Sequence, residues 1–446
     1  MYTISKDKVR LHMKRHGIST QKDLAELLGI SKNQLSMLLS PNFNPIKSNA
    51  MKLCEILDVN FEDIIDTEQI ELALESMDNL SEQSQNEELN VADYKGDQFI
   101  EVRGLNANKQ YSAVELFAGA GGLALGLEMA GFHSRGLVEI DKYACQTLRK
   151  NKPHLNVIEK DIIQVAEQGI RNFVDVPIGE LDLLSGGYPC QSFSYAGKKR
   201  GLNDARGTMF YYYAQILKQL LPKMFLAENV KGMVNHDNGR TLSLMLKVFS
   251  DIGYTVRWQV LRALDYDVAQ KRERIVLVGI RNDLVEKHNL KFSFPQPYGY
   301  ELKLKDVLQG VPSSDGAKYP ESKKRVLDLI PPGGYWRDLP EEIAKDYMGK
   351  SYYSGGGRTG MARRLSWDEP SLTLTCSPAQ KQTERCHPDE TRPFTVREYA
   401  RIQSFPDNWE FDCSTANAYK QIGNAVPVNM AKAIGLSIVN ILNQIK

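Results

Sequence analysis

Cysteine is scarce in this sequence: six occur in 446 residues, scattered at positions 54, 145, 190, 376, 386 and 413. That scatter excludes a disulfide framework, and it fits a protein of the reducing cytoplasm. Cys376, Cys386, His387 and Cys413 match no common zinc-ligand spacing, so no metal is expected. Long apolar runs are missing as well, and none approaches the length of a membrane span. The first residues, MYTISKDKVRLHMKRHG, lack the apolar stretch of a secretory signal, so no membrane association is expected. Net charge is nearly absent at +1, but only because opposite charges are segregated along the chain. Residues 1–61 hold nine Lys/Arg against five Asp/Glu, whereas residues 62–101 hold thirteen acidic residues and only Lys95. The remainder is basic, so two basic bodies flank an acidic connector, a pattern suited to nucleic-acid contact at both.

What is present falls into segments of different texture. Within residues 1–66, Thr20 to Ser31 followed by Lys32 to Leu39 has the form of a helix-turn-helix. Ala25 is small where the helices cross, Gly29 permits the turn and Ser31 can cap the second helix. Leu24, Leu27, Leu28, Leu35 and Leu38 recur at helical spacing and are the expected core. This segment resembles the Cro/repressor type of DNA-binding domain, which would turn Lys32, Asn33, Gln34 and Ser36 toward a major groove. A helical pair used for protein contact has the same pattern. Residues 67–107 are acidic and rich in Glu, Gln, Asn and Ser, and read as a linker, helical from Glu68 to Leu80 and loose beyond.

From Tyr111 short apolar strands alternate with helices, the signature of an α/β, doubly wound Rossmann-like domain. Strands are expected at Tyr111–Phe117, Ser134–Glu139, Leu181–Ser185, Met224–Glu228, Tyr254–Leu261 and Ile275–Ile280. After about residue 290 regular periods fade into Pro-, Gly- and Tyr-rich sequence, and a final amphipathic helix runs from Lys420 to Lys446. The division is therefore 1–66 helix-turn-helix, 67–107 linker, 108–289 catalytic body, 290–409 irregular target-reading domain with its frame, and 410–446 a return to the body.

Chemistry-bearing residues sit at the joints of this pattern. Phe117-Ala118-Gly119-Ala120-Gly121-Gly122 leaves a strand and enters a helix, where glycines let backbone approach a ligand and helix-end N–H groups are free. Dinucleotide and S-adenosylmethionine folds share that geometry. Phe117 before the glycines, and Glu139 closing the next strand where it can bind ribose hydroxyls, favour the methyl donor. Pro189-Cys190-Gln191 places a cysteine behind a rigid proline in a loop of glycines and hydroxyls. Glu228-Asn229-Val230 follows an apolar strand, Gln270-Lys271-Arg272-Glu273-Arg274 runs into another, and Gln421 to Pro427 opens the last helix.

That ordered set resembles the DNA (cytosine-5)-methyltransferase family over roughly residues 111 to 446. The resemblance implies a thiolate of Cys190 that adds to C6 of a flipped-out cytosine and makes C5 nucleophilic. Glu228 would grip the base at N3 and N4, Arg274 would bond O2, and Arg272 would steady the catalytic loop and a phosphate. Phe117, Ala118, Gly119, Gly121, Gly122 and Leu123 would cradle the methionine part of S-adenosylmethionine, with Pro189 beside it. Glu139 and Ile140 would hold the ribose and flank the adenine, Asp161 and Ile162 would face its other edge, and Asn424, Ala425 and Val426 would complete the pocket. Gln191, Ser192, Lys198, Arg200, Arg206 and Gln270 would meet DNA around the reacting base, with Arg358, Lys381 and Arg385 as readers of the target in the major groove. The implied partner is double-stranded DNA at a methylation site, with a separate operator for the N-terminal domain and a restriction endonuclease acting on the same site as further partners. The rivals are an RNA cytosine-5 methyltransferase and a regulator with a vestigial enzyme half; the helix-turn-helix and long variable region oppose the first, and the intact Cys190, Glu228 and Arg274 oppose the second. The absence of an Asp/Asn/Ser-Pro-Pro-Tyr/Trp run disfavours amino-group methylation.

Overall fold

The computed structural model describes residues 3–4, 6–15, 18, 20–31, 35–36, 39, 53, 56–57, 65–66, 90–189, 208–353 and 360–445. Two compact units divide the chain, Met1–Glu88 and Leu89–Lys446.

In the first unit, helices span Lys6–Arg15 and Gln21–Leu28. Thr20 starts the second through a reciprocal cap: its hydroxyl accepts from the Asp23 N–H, and the Asp23 carboxylate accepts from its own. Gly29 ends it at φ 69°, the left-handed conformation a glycine adopts without a Cβ penalty. Val9, Met13, Leu24, Ala25, Leu28, Leu35, Leu39, Leu53 and Leu57 form the core. Leu27, expected there, is instead 56% exposed. At about 100° per residue it points roughly 60° beyond the edge of the arc that Leu24, Ala25 and Leu28 bury. Ser36 is exposed, whereas Lys32, Asn33, Gln34 and Leu38 lie outside the described residues.

The second unit is built on a seven-stranded sheet: β1 Tyr111–Leu116, β2 Phe132–Glu139, β3 Val157–Glu159, β4 Leu183–Gly186, β5 Met224–Val230, β6 Tyr254–Arg262 and β7 Glu273–Arg281. Spatial order is β3-β2-β1-β4-β5-β7-β6; the first five strands run parallel and β7 is inserted antiparallel between β5 and β6. β3 leaves no mark in the sequence pattern, because three residues make too short a period to see. One face packs on an aromatic-rich core that includes Tyr213, Phe225, Phe249 and Tyr254. The other receives α1, Gly122–Met129, and α3, Val428–Leu442. α1 and α3 approach closely because Gly126 has no side chain: a Cβ there would lie 2.4 Å from the Val428 carbonyl oxygen.

Three expectations are revised. Residues 90–107 are no loose tether, since Phe99–Ile100 pairs in parallel with Phe294–Pro295 and the Trp258 indole donates to the Val91 carbonyl at 2.9 Å. The final helix is two, α2 Thr415–Asn424 and α3, parted at Ala425-Val426-Pro427 because proline cannot donate the next helical bond. The helical stretch Thr415–Leu442 is also long and apolar enough to meet a membrane-span criterion, but most of it is buried in the core. Within residues 290–409, Leu327, Ile330, Trp336, Leu339, Ala344, Met348, Met361, Ala362 and Cys386 form a small core of their own. Leu304, Leu308, Leu365, Leu374, Phe394 and Tyr399 instead join Ala118 and Ala124 of the glycine-loop region.

Candidate active site

The exits of β1, β2, β4 and β5, together with the α2–α3 turn, converge on one end of the sheet. In an open parallel sheet, loops at the carboxyl ends leave a crevice where a ligand fits. β1 exits through Phe117, which holds φ 58°, a conformation rare for a bulky residue and common at functional sites. Gly119 and Gly121 continue at φ 54° and 85°, so the chain turns sharply into the N-terminus of α1. Ala118 and Leu123 are buried beneath the loop. A Cβ on Gly121 would meet Leu148 at 2.8 Å and Trp409 at 3.2 Å, and one on Gly122 would lie 2.4 Å from the Val426 carbonyl oxygen. Here the glycines serve close packing as much as conformational freedom.

Glu139 ends β2 and ties the two exits together. Its carboxylate accepts from the Gly119 N–H at 2.7 Å, and from those of Ile140 and Asp141 at 2.8 and 2.7 Å. Ile140 beside it is 65% exposed, an apolar surface next to an acid, which suits an adenine ring over a ribose. Asp161 caps the helix Ile162–Gln168 by accepting from the Ile163 N–H, and Ile162 is buried. Across the crevice Asn424 is exposed, Ala425 half-buried and Val426 buried. Lys420 holds Asp141 at 2.7 Å and Thr147 donates to Gln421 at 2.9 Å, fixing α2 to the β2 side. A glycine loop, a strand-end acid, an exposed isoleucine and a helix N-terminus fit the methyl donor, so these residues could hold it.

On the neighbouring exits, Glu228 lies opposite Val276 and Arg274 opposite Val230, which makes Glu228 and Arg274 diagonal neighbours on one face. Arg274 Nε meets Glu228 Oε1 at 2.8 Å, with both side chains largely withdrawn from solvent. The loop after β4 passes so close that a Cβ on Gly187 would lie 2.8 Å from Glu228 Oε2. Tyr188 is then anchored, its ring edge-on to Phe210 at 5.6 Å and its carbonyl accepting from Asn229 Nδ2 at 2.9 Å. Pro189 follows, exposed, at the lip of the crevice. Cys190, Gln191, Ser192, Lys198, Arg200, Arg206 and Arg358 lie outside the described residues.

Three other expected side chains are turned inward. Arg272 is buried and donates to the Gly423 carbonyl at 3.1 Å; burial and the nearby Arg274 push it down to about 9, so it remains a cation at neutral pH. Gln270 is fully buried and its amide oxygen accepts from the Leu374 N–H at 2.9 Å, so it faces protein, not solvent. Arg385 is also buried, bonding the Thr373 and Glu384 carbonyls at 2.6 and 2.7 Å. Lys381 is exposed and lies over the Tyr347 ring at 4.6 Å. Asn229 stands inside the Glu228-Asn229-Val230 motif, and Gln403 carries no signal in the sequence that marks it for a role.

Residues 111–440 match the profile of the C-5 cytosine-specific DNA methylases, and residues 8–69 match the Cro/C1-type helix-turn-helix DNA-binding domain. The chain is 56% identical over 441 residues to the type II methyltransferase M.Sau96I of Staphylococcus aureus, covering 99% of both chains. It is 57% identical over 347 residues to the type II methyltransferase M.Eco47II of Escherichia coli, covering 76% of this chain and 81% of that one. Among solved structures, a prophage-encoded E. coli protein described as a DNA modification methyltransferase superposes with a TM-score of 0.54 at 25% identity, covering 75% of this chain and 99% of that one.

Proposed function

Because this chain belongs to the C-5 cytosine-specific DNA methylases and is a type II enzyme of that kind, we propose that it methylates C5 of a flipped-out cytosine at one DNA site through a covalent Cys190 adduct. The observation that carries the reading is the Glu228–Arg274 pair at 2.8 Å, set against Gly187 three residues before Cys190. Cytosine C5 is a poor nucleophile. The Cys190 thiolate forms a bond to C6, Glu228 supports proton gain at N3, and the electron pair that results is delivered to C5. S-adenosylmethionine, when bound, supplies an electrophilic methyl group to that carbon. The C5 proton then leaves to solvent, its bonding pair re-forms C5=C6 and expels the Cys190 thiolate from C6, and the N3 proton returns to Glu228, which restores the ring and the enzyme. Arg274 holds Glu228 in place and offers its remaining N–H groups to the base O2. Asn229, through the Tyr188 carbonyl, holds the backbone two residues before Cys190.

Residues 290–395 read the target, and a restriction endonuclease cutting the same site is the partner enzyme. The Cro-like domain binds an operator and represses the enzyme's own gene, because the chain already has its own target reader and a second one is redundant for catalysis. Duplex DNA carrying 5-fluorocytosine at the target, with S-adenosylmethionine present, tests the chemistry. The wild-type chain forms a denaturation-resistant adduct, since fluorine blocks release from C5, and Cys190→Ala forms none while still binding DNA. An adduct persisting in Cys190→Ala would move the nucleophile elsewhere.

A further inference from the structure

Gln403 follows the helix Val396–Ile402 and is fully buried. Its side-chain oxygen accepts from Gln270 Nε2, and its own Nε2 donates to the carbonyls of Ile422 at 3.1 Å and Ala425 at 2.5 Å. Arg272 lies alongside, donating to the Gly423 carbonyl. The Ile422 and Gly423 carbonyls belong to the last turn of α2 and that of Ala425 to the connection after it, the stretch that presents Asn424, Ala425 and Val426. Gln270 and Arg272 belong to the segment that supplies Arg274 to Glu228 a few residues on. One buried clasp of two amides therefore joins the turn on one side of the crevice to the strand on the other.

The clasp requires both polarities in one side chain. Gln403 must accept from Gln270 and donate to two carbonyls, in a place no water reaches. A leucine there would leave the carbonyls of Ile422 and Ala425 and the amide of Gln270 short of partners, the costly way to lose a hydrogen bond. A glutamate would aim lone pairs at carbonyl oxygens until it gained a proton. The helices on either side of the turn are held independently: α3 packs on α1, and the Val428 and Asn429 N–H groups are bonded to the Gln403 carbonyl and the Ser404 hydroxyl. The turn can thus lose its anchor while the fold stands.

We infer that Gln403 is a positioning residue: paired with Gln270, it fixes the Ile422–Ala425 turn and thereby sets the affinity of the pocket for the methyl donor. The inference rests on the reading of that crevice as the donor site. Full-length wild type, Gln403→Leu and Gln403→Glu are titrated calorimetrically with S-adenosylhomocysteine at pH 5.5 and pH 8, with thermal melts of each. Gln403→Leu loses affinity by about tenfold to a hundredfold at both pH values, and in turnover its KM for S-adenosylmethionine rises while kcat at saturation stays within a few-fold. Gln403→Glu binds weakly at pH 8 and recovers toward wild type at pH 5.5, where the buried acid is protonated and donates again. Binding by Gln403→Leu within twofold of wild type, or a glutamate defect equal at both pH values, overturns the inference. Failure of the wild-type chain to bind would overturn the donor-site reading instead.

Discussion

Glu228 owes its orientation to Arg274 on the adjacent strand and its proximity to the reactive loop to the missing side chain of Gly187. Glu228→Gln keeps the shape but cannot support proton gain at the base, so kcat should fall by about 10²- to 10⁴-fold with S-adenosylhomocysteine affinity unchanged. Single-turnover kinetics and calorimetry check the two halves, and turnover near wild type would leave Glu228 as a pocket wall. Glu115 offers a different test. It is buried in β1 beside Ser185 of β4, and among the described residues its Oε2 finds no hydrogen-bond partner. Burial first, and the charge of Glu139 second, push its carboxyl well above the ordinary range. The folded chain therefore keeps a proton that the unfolded chain releases above its usual carboxyl pKa, so Glu115 costs stability increasingly as pH rises from that point. Glu115→Gln should narrow the gap in Tm between pH 5 and pH 8; an unchanged gap would mean that the group is ionised in the fold.

At the scale of elements, α1 begins in close contact with the α2–α3 turn. Gly122→Ala would place a methyl 2.4 Å from the Val426 carbonyl oxygen, and backbone cannot swing aside as a side chain does. Overpacking of this kind costs about 1–3 kcal/mol, and the displaced residue is one that we propose lines the donor pocket. Thermal unfolding should register the cost, and donor titration should show weaker binding in the same variant. Gly104→Ala is the control for the general effect of losing a glycine outside the crevice: its φ is 86°, so it too is strained, but a Cβ there meets nothing within 4 Å. It should lower Tm and leave donor affinity alone.

For the whole molecule, the division into two units predicts separable tasks. A truncated chain should begin at Leu89 and not later, since Phe99–Ile100 pairs with Phe294–Pro295 and the Val91 carbonyl receives the Trp258 bond. Such a chain should methylate the same site as the full protein, as bisulfite sequencing of DNA from expressing cells would record. The full protein alone should footprint an upstream operator, and that binding should weaken steeply with salt as phosphate contacts release counterions. Identical footprints from both, or loss of site-specific methylation on truncation, would make the N-terminal domain part of target recognition.

Much was determined by sequence alone. The strand–glycine-loop–helix joint at Phe117 to Leu123, the acid closing β2, the Pro189-Cys190 pair and the Glu228 and Arg274 motifs are local patterns. Each is legible from residue type and neighbours in the chain. The sheet strands were legible for the same reason, apart from the three-residue β3. Tertiary structure decided what depends on distant partners. Whether Arg272 and Gln270 face DNA or protein is set by segments 100 residues and more away, at Leu374, Gly423 and Gln403, and no period in the sequence encodes that; Arg385 is turned inward onto the nearer Thr373 carbonyl. The same holds for Leu27, placed on the outside by a geometry that leucine spacing alone does not fix, and for residues 90–107, whose polar composition hid a docking strand. Gln403 is the sharpest case. An amide in a helix-end motif reads as surface until the fold brings two carbonyls and a second amide around it, and burial turns an ordinary glutamine into a required donor and acceptor.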